Sequence, residues 1–332
     1  MAIGASYFGN RILRHVEADM DDLASRGFTA VLHTMSENDL NYYPLQMGRL
    51  VAAAHDVGLE VQIGPWGVGH AFGGEAESLF TATHPELGQV FDNDRRVGAA
   101  CLNRNAFREL VKRWADTAVE TGADRIFWDE PHWAHPERFG LDEDRWACRC
   151  GACRARFREE HGGDMPRELT GEVVAFRERC LVEFVRELVA HVSSRGGRST
   201  VCLLPLVEGS LGLRDWAGVA TADGLDTIAT DPYWKVFGQP ASAFVARFAR
   251  KVRDLADAHH LTPQIWIQGF GLGPEDRDDI HAAVRAARAE GVDDIWTWGY
   301  EACGHMDYLA TRDPEAVWDA LTAALTGEER DG

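Results

Sequence analysis

Apolar positions along the chain recur in one repeated phrase: an amphipathic helical run closing near a glycine, followed within a few residues by a short β-branched or aromatic strand. HVEADMDDLASRG leads to FTAVLHT, MGRLVAAAHDVG to LEVQIGPW, FRELVKRWADTAVETG to ADRIFWDEP, and RDDIHAAVRAARAEG to VDDIWTWGYE. Gly27, Gly58, Gly122 and Gly291 stand where a left-handed residue ends a helix before the chain turns back. STVCLLPL, LDTIATDPYW and PQIWIQGF follow other helical runs, and ASYFGN opens the series, giving eight strands. These strands are continuous apolar runs rather than alternating ones, so both faces should be covered, as in a parallel sheet walled by helices.

Eight βα units in 332 residues predict a single (β/α)8 TIM barrel, one domain over residues 1–332. A doubly wound sheet is disfavoured because no G-x-G-x-x-G follows the first strand, and the late GFGLGPE lacks a Walker lysine. The longest interruption, about 131–175, falls between the fourth strand and its helix and reads as a loop insertion.

Composition narrows the partners. Asp and Glu number 53 against 34 Lys and Arg, a formal charge of −19, with no basic run that would track a nucleic acid. No apolar stretch reaches a membrane-spanning length, and the N-terminus lacks the design of a signal peptide. Seven cysteines are too few for a disulfide scaffold, and the expectation is a reducing, cytoplasmic setting.

In a barrel the chemistry sits at the C-terminal strand ends. Here those ends carry Tyr7 and Asn10, His33, Trp66 with His70, Asp129 with Glu130 and His132, Glu208, Asp231 with Tyr233 and Trp234, Gln268, and Trp298 with Glu301. Aromatic faces beside carboxylates suit a sugar ring, whose C–H faces pack on indole while its hydroxyls take directional partners. Trp266 and Trp296 read as core. Trp66, Trp234 and Trp298, at or beyond strand ends, read as platform or rim, and His33, His70 and His132 as sugar binders or satisfied structural histidines. No H-x-H or H-E-x-x-H spacing points to a catalytic metal. The pair Asp129-Glu130 closing IFWDEP is the leading catalytic candidate. A carboxyl group in a water-poor aromatic site has a raised pKa and can stay protonated to serve a leaving oxygen.

Cys148, Cys150 and Cys153 form C-x-C-x-x-C in the fourth βα loop, and Cys101 lies in the third, on the same rim. Four thiolates make a closed tetrahedral site, so the expectation is a structural Zn2+. Cys180, Cys202 and Cys303 read as buried small apolar residues.

The stretch CLNRNAFRELVKRWADTA, then IFWDEPH, then CRCGACRARFREEHG resembles the glycoside hydrolase family 42 β-galactosidases over about 60 residues. The resemblance implies that Cys101, Cys148, Cys150 and Cys153 are zinc ligands and that Glu130 holds the position of the acid/base. It also implies a glycosidase barrel, a small carbohydrate substrate, and homo-oligomers as one state to expect. Two positions depart from the family: Asp129 replaces its Asn, and Gln268 stands where the seventh strand should end in a nucleophilic Glu. The second carboxylate must therefore come from elsewhere. Glu301 is the first candidate and Asp231 the second. A third arrangement has a substrate acetamido group attack, with Asp129 orienting it and Tyr233 hydrogen-bonding. The expected function is a glycoside hydrolase acting on a small glycoside or oligosaccharide. The alternatives are a non-catalytic carbohydrate-binding or regulatory barrel and a barrel lyase or isomerase acting on a sugar.

Overall fold

The computed structural model describes residues 2–205, 213, 214 and 216–327. In chain order its strands are β1 (Ile3–Tyr7), β2 (Ala30–Met35), β3 (Glu60–Pro65), β4 (Gly88–Val90), β5 (Arg96–Ala100), β6 (Arg125–Trp128), β7 (Ser199–Leu203), β8 (Leu225–Thr230), β9 (Thr262–Gln268) and β10 (Asp294–Trp298). Strands β4 and β5 pair only with each other, antiparallel. The other eight close into a barrel in the order β1-β10-β9-β8-β7-β6-β3-β2, every neighbour parallel. The eight strands read from the sequence are these eight, and the fold is the (β/α)8 barrel.

The helices form for the expected reason. Leu13–Ser25 buries Val16, Met20 and Leu23 on one stripe and ends at Gly27, whose φ of 85° lets Phe28 N–H reach back to the Leu23 carbonyl. Gly58, Gly122 and Gly291 hold the same left-handed conformation after their helices.

Alternation along the strands sorts side chains into two cores. Inward-facing Leu32, Phe127, Cys202, Ala229, Trp266 and Trp296 fill the lumen, while Val31, Ile126, Ile228 and Ile295 pack against the helices. Gly4 makes room for the lumen indoles, since a Cβ there would lie 2.2 Å from the Trp296 ring. Below them Arg125 pairs with Glu60 and Asp226, and Gln264 bonds Asp294, so the N-terminal end is plugged. Only the C-terminal end is left for a site.

Two features fell outside the sequence reading. The β4–β5 hairpin lies in the third βα loop and is bridged from Phe91 to Ala147 of the fourth. The interruption after β6 contains a helix of its own, Gly151–His161. The barrel helix Gly171–Ser194 starts inside the span expected to be loop, capped by Thr170. Among the described residues no helix is long and apolar enough to cross a membrane.

Candidate active site at the barrel mouth

Strand parity carries Phe127 and Asp129 to the lumen side of β6. Glu130 then leaves the strand with a φ of 41°, its N–H donating to the Cys202 carbonyl at 3.1 Å. Asp231 follows β8 on the same lumen parity and is buried. The Glu130 and Asp231 carboxyl groups lie within hydrogen-bonding reach of each other. Burial pushes Asp129, Glu130 and Asp231 all upward. The Glu130 charge raises Asp129 and Asp231 further, and Asp129 adds to the rise of Asp231, while the approach of Asp231 draws Glu130 part of the way back down. Three carboxyl groups packed this closely cannot all be ionised, so the cluster holds at least one proton where isolated carboxylates have lost theirs. The same crowding raises the Tyr233 phenol and the Cys202 thiol, which sits beneath Asp231.

The third βα loop covers this cluster. Gly73 N–H donates to the Asp129 carbonyl at 3.0 Å. A Cβ at Gly73 would lie 2.6 Å from Asp129 Oδ2 and 3.1 Å from Glu130 Oε2. Glu75, two residues on, accepts the Trp66 indole N–H at 3.0 Å. Gly73, Glu75, Glu130, His132, His135 and Arg138 line a cleft of about 810 Å³. His132 Nδ1 lies 2.5 Å from the Glu130 carbonyl, which fixes it as the donor and leaves Nε2 an acceptor; burial lowers the ring to about 4, so it is neutral. His70 is buried beside Glu77 and the Ser78 N–H, on the same loop.

One wall of the mouth is aromatic. Phe8 stacks on Trp298 at 5.7 Å and tilts against Trp66 at 5.7 Å, and Trp298 rests on the lumen Trp266. Tyr233 stands half-buried, edge-on to Phe270. Trp234 instead faces the helix layer and is 3% exposed, against the rim position expected of it. Gln268 is buried with both ends of its amide committed: Oε1 accepts from Lys235 N–H at 3.1 Å, and Nε2 donates to the Phe270 carbonyl at 2.9 Å. Glu301 is exposed and lines a neighbouring lobe of about 510 Å³ with Phe8, Asn10, Asp19 and His305. That lobe shares Met306 with the first. Tyr7 donates to Asp19, and His33 is buried behind the sheet against Tyr7, outside the cleft. Glu208 lies outside the described residues. Gly73, Glu75 and Phe8, absent from the sequence-derived set, are thus central to the mouth. The only signal for the first two was the pair of glycines in FGGEAE.

The four cysteines converge. The Sγ atoms of Cys101, Cys148, Cys150 and Cys153 all lie within 4.8 Å of one another, with Cys101 at 3.5 Å from both Cys150 and Cys153. Val90 N–H of the hairpin and Cys150 N–H both donate to Cys148 Sγ, and Asn103 donates to Cys153 Sγ. Buried Arg177 stacks on Trp133 and Trp146 and donates to the Ala147 carbonyl, placing a cation beside the sulfurs. This buried group has the composition and spacing to hold a metal ion.

No family model and no curated protein sequence matches the chain. Solved structures do. An endo-β-1,4-mannanase from Thermotoga petrophila superposes with a TM-score of 0.60 at 11% identity, covering 100% of this chain and 78% of its own. A chitobiase from Flavobacterium johnsoniae gives 0.56 at 12%, covering 97% of this chain and 47% of its own. A D-psicose 3-epimerase gives 0.53 at 11%, covering 98% of each. At these identities the likeness is one of fold: a TIM barrel shared with glycoside hydrolases and with sugar epimerases.

Proposed function

We propose that the chain is a glycoside hydrolase acting on a small glycoside or oligosaccharide, with Glu130 as the general acid. The observation that carries this is the proton-sharing cluster of Asp129, Glu130 and Asp231 at the open end of the barrel, beside the Phe8–Trp66–Trp298 wall. Breaking a glycosidic bond requires a carboxyl group that is still protonated near neutral pH and placed where a ring can stack. Burial and like charge supply the first condition, and the aromatic wall supplies the second. Of the two partners expected from the sequence, Asp231 touches Glu130, whereas Glu301 faces the neighbouring lobe. Asp231 shares the cluster's proton with Glu130, each carboxyl group being raised by burial.

The four cysteines fit a structural Zn2+. A tetrahedral site with Zn–S bonds of about 2.3 Å needs sulfurs about 3.8 Å apart, close to the spacing present. The ion would tie the third and fourth βα loops together under the rim that carries His132 and His135. It has no open position and takes no part in the reaction.

A carbohydrate-binding barrel without chemistry is the competing reading, favoured by Gln268 at the seventh-strand position with its amide spent on backbone. A panel of chromogenic aryl glycosides separates the two. Release of the aryl group supports hydrolysis. Saturable sugar binding with no release supports the binding barrel, and interconversion of free ketoses would move the function to epimerisation.

A further inference from the structure

The acid cluster leaves the reaction without a base. Glu130 and Asp231 lie within hydrogen-bonding reach of each other. An inverting glycosidase needs its two carboxyl groups about 6.5–9.5 Å apart, and a retaining one about 5–5.5 Å. Glu301 lines the other lobe. Glu77 lies on the rim, 90% exposed and engaged by His70. Glu75 remains.

It lines the same cleft as Glu130, on the loop whose Gly73 backbone rests against the Asp129 and Glu130 carboxyl groups. Its charge raises both Asp129 and Glu130 through space, and no hydrogen bond joins it to either, so it is near them but not in contact. The Trp66 indole N–H holds Oε2 and leaves Oε1 for another donor, and the Arg138 guanidinium donates to the Gly74 carbonyl behind it. The loop thus presents a positioned carboxylate to the cleft and ties it to one ring of the aromatic wall.

We propose that Glu75 is the general base of the reaction. Resting on the hydrolase reading, the step is a single displacement. Glu75 takes a proton from a water whose oxygen attacks the anomeric carbon, while Glu130 gives its proton to the departing glycosidic oxygen. One C–O bond forms as the other breaks, the products are the free sugar and the alcohol, and the anomeric centre inverts. Glu75 ends protonated and Glu130 ionised, and solvent exchange resets both.

The test uses the full-length protein and aryl glycosides that the wild type cleaves. NMR of the first-formed sugar should show the inverted anomer; net retention overturns the proposal. Glu75→Gln should lower kcat by about 10²–10⁴-fold whatever the leaving group. Glu75→Gln activity within about twofold of wild type overturns it. Should Glu75→Gln lose its thermal transition, Trp66→Phe reports instead, since it removes the indole N–H that holds Oε2 while leaving a smaller aromatic ring in the wall. It should lower kcat more than it raises KM, and a change confined to KM counts against the proposal. A wild type that cleaves no glycoside in the panel sinks the hydrolase reading and this step with it, an outcome distinct from an active wild type with an active Glu75→Gln.

Discussion

Replacing Gly73 by Ala tests whether the third loop sets the acid cluster. Gly73 has no left-handed φ, so alanine carries no backbone penalty there, and the effect comes from one methyl group. That methyl would lie 2.6 Å from Asp129 Oδ2 and 3.1 Å from Glu130 Oε2, where ordinary contact begins near 3.4 Å. The Asp129 carboxyl must therefore retreat by about 0.8 Å. Lifting the loop instead would strain two hydrogen bonds, Gly73 N–H to the Asp129 carbonyl and Gly67 N–H to the Gly73 carbonyl. Overpacking of this kind costs about 1–3 kcal/mol of stability. A displacement approaching 1 Å at a catalytic group costs about 10²-fold in rate, or ~2.7 kcal/mol of transition-state stabilisation. Gly163→Ala is the control, because nothing lies within 4 Å of its Cβ position. The assay is thermal melting together with kcat/KM on an aryl glycoside. Gly73→Ala should melt a few degrees lower and lose about a hundredfold in kcat/KM, with Gly163→Ala unchanged. A folded Gly73→Ala protein with wild-type kcat/KM would refute the account of how the loop holds the carboxyls.

Elemental analysis of protein purified without added metal should give about one zinc per chain, and finding none with four titratable thiols would remove the zinc assignment. Gln268→Glu should not restore a nucleophile; a carboxylate there cannot donate to the Phe270 carbonyl, so we expect a loss of about 1–3 kcal/mol in denaturant melts and no gain in turnover. His33 is held at about 3 by burial, aided by Arg11 and His55. Its folded pKa lies below the unfolded value of 6.5, so its contribution is complete above pH 6.5 and falls by about 1.4 kcal/mol per pH unit as pH drops from there towards 3. His33→Gln should flatten that slope relative to wild type in urea melts at pH 4.5 and 7, and parallel curves would count against it.

The barrel was legible because its strands are buried on both faces and its helices stop at glycines. Both are local signals that tertiary packing did not override. The β4–β5 hairpin was not: its strands are three and five residues long, and its 91–95 turn reads as a charged loop. The cysteine cluster was legible from spacing alone, since three of its members share six residues. At the mouth, IFWDEP announced Asp129 and Glu130 because an apolar strand must deliver them there, and Asp231 follows the same parity on β8. Trp234 sits on the opposite parity from Asp231 and Tyr233, which turns it towards the helices. The environment of Gln268 depends on a backbone N–H from the loop after β8, a contact no sequence window contains. Glu75 carries no periodic signal, and its place follows from how closely two glycines let the loop approach the carboxyls.

The most direct measurement is the dependence of rate on leaving group for Glu130→Gln. If Glu130 supplies the proton, the variant should lose about 10²–10⁴-fold in kcat/KM on a glycoside with a poor leaving group. It should lose far less on a dinitrophenyl glycoside, whose leaving oxygen needs no proton, and should still bind sugar. An equal loss on both substrates, or wild-type turnover of the poor one, would contradict the assignment of Glu130 as the acid.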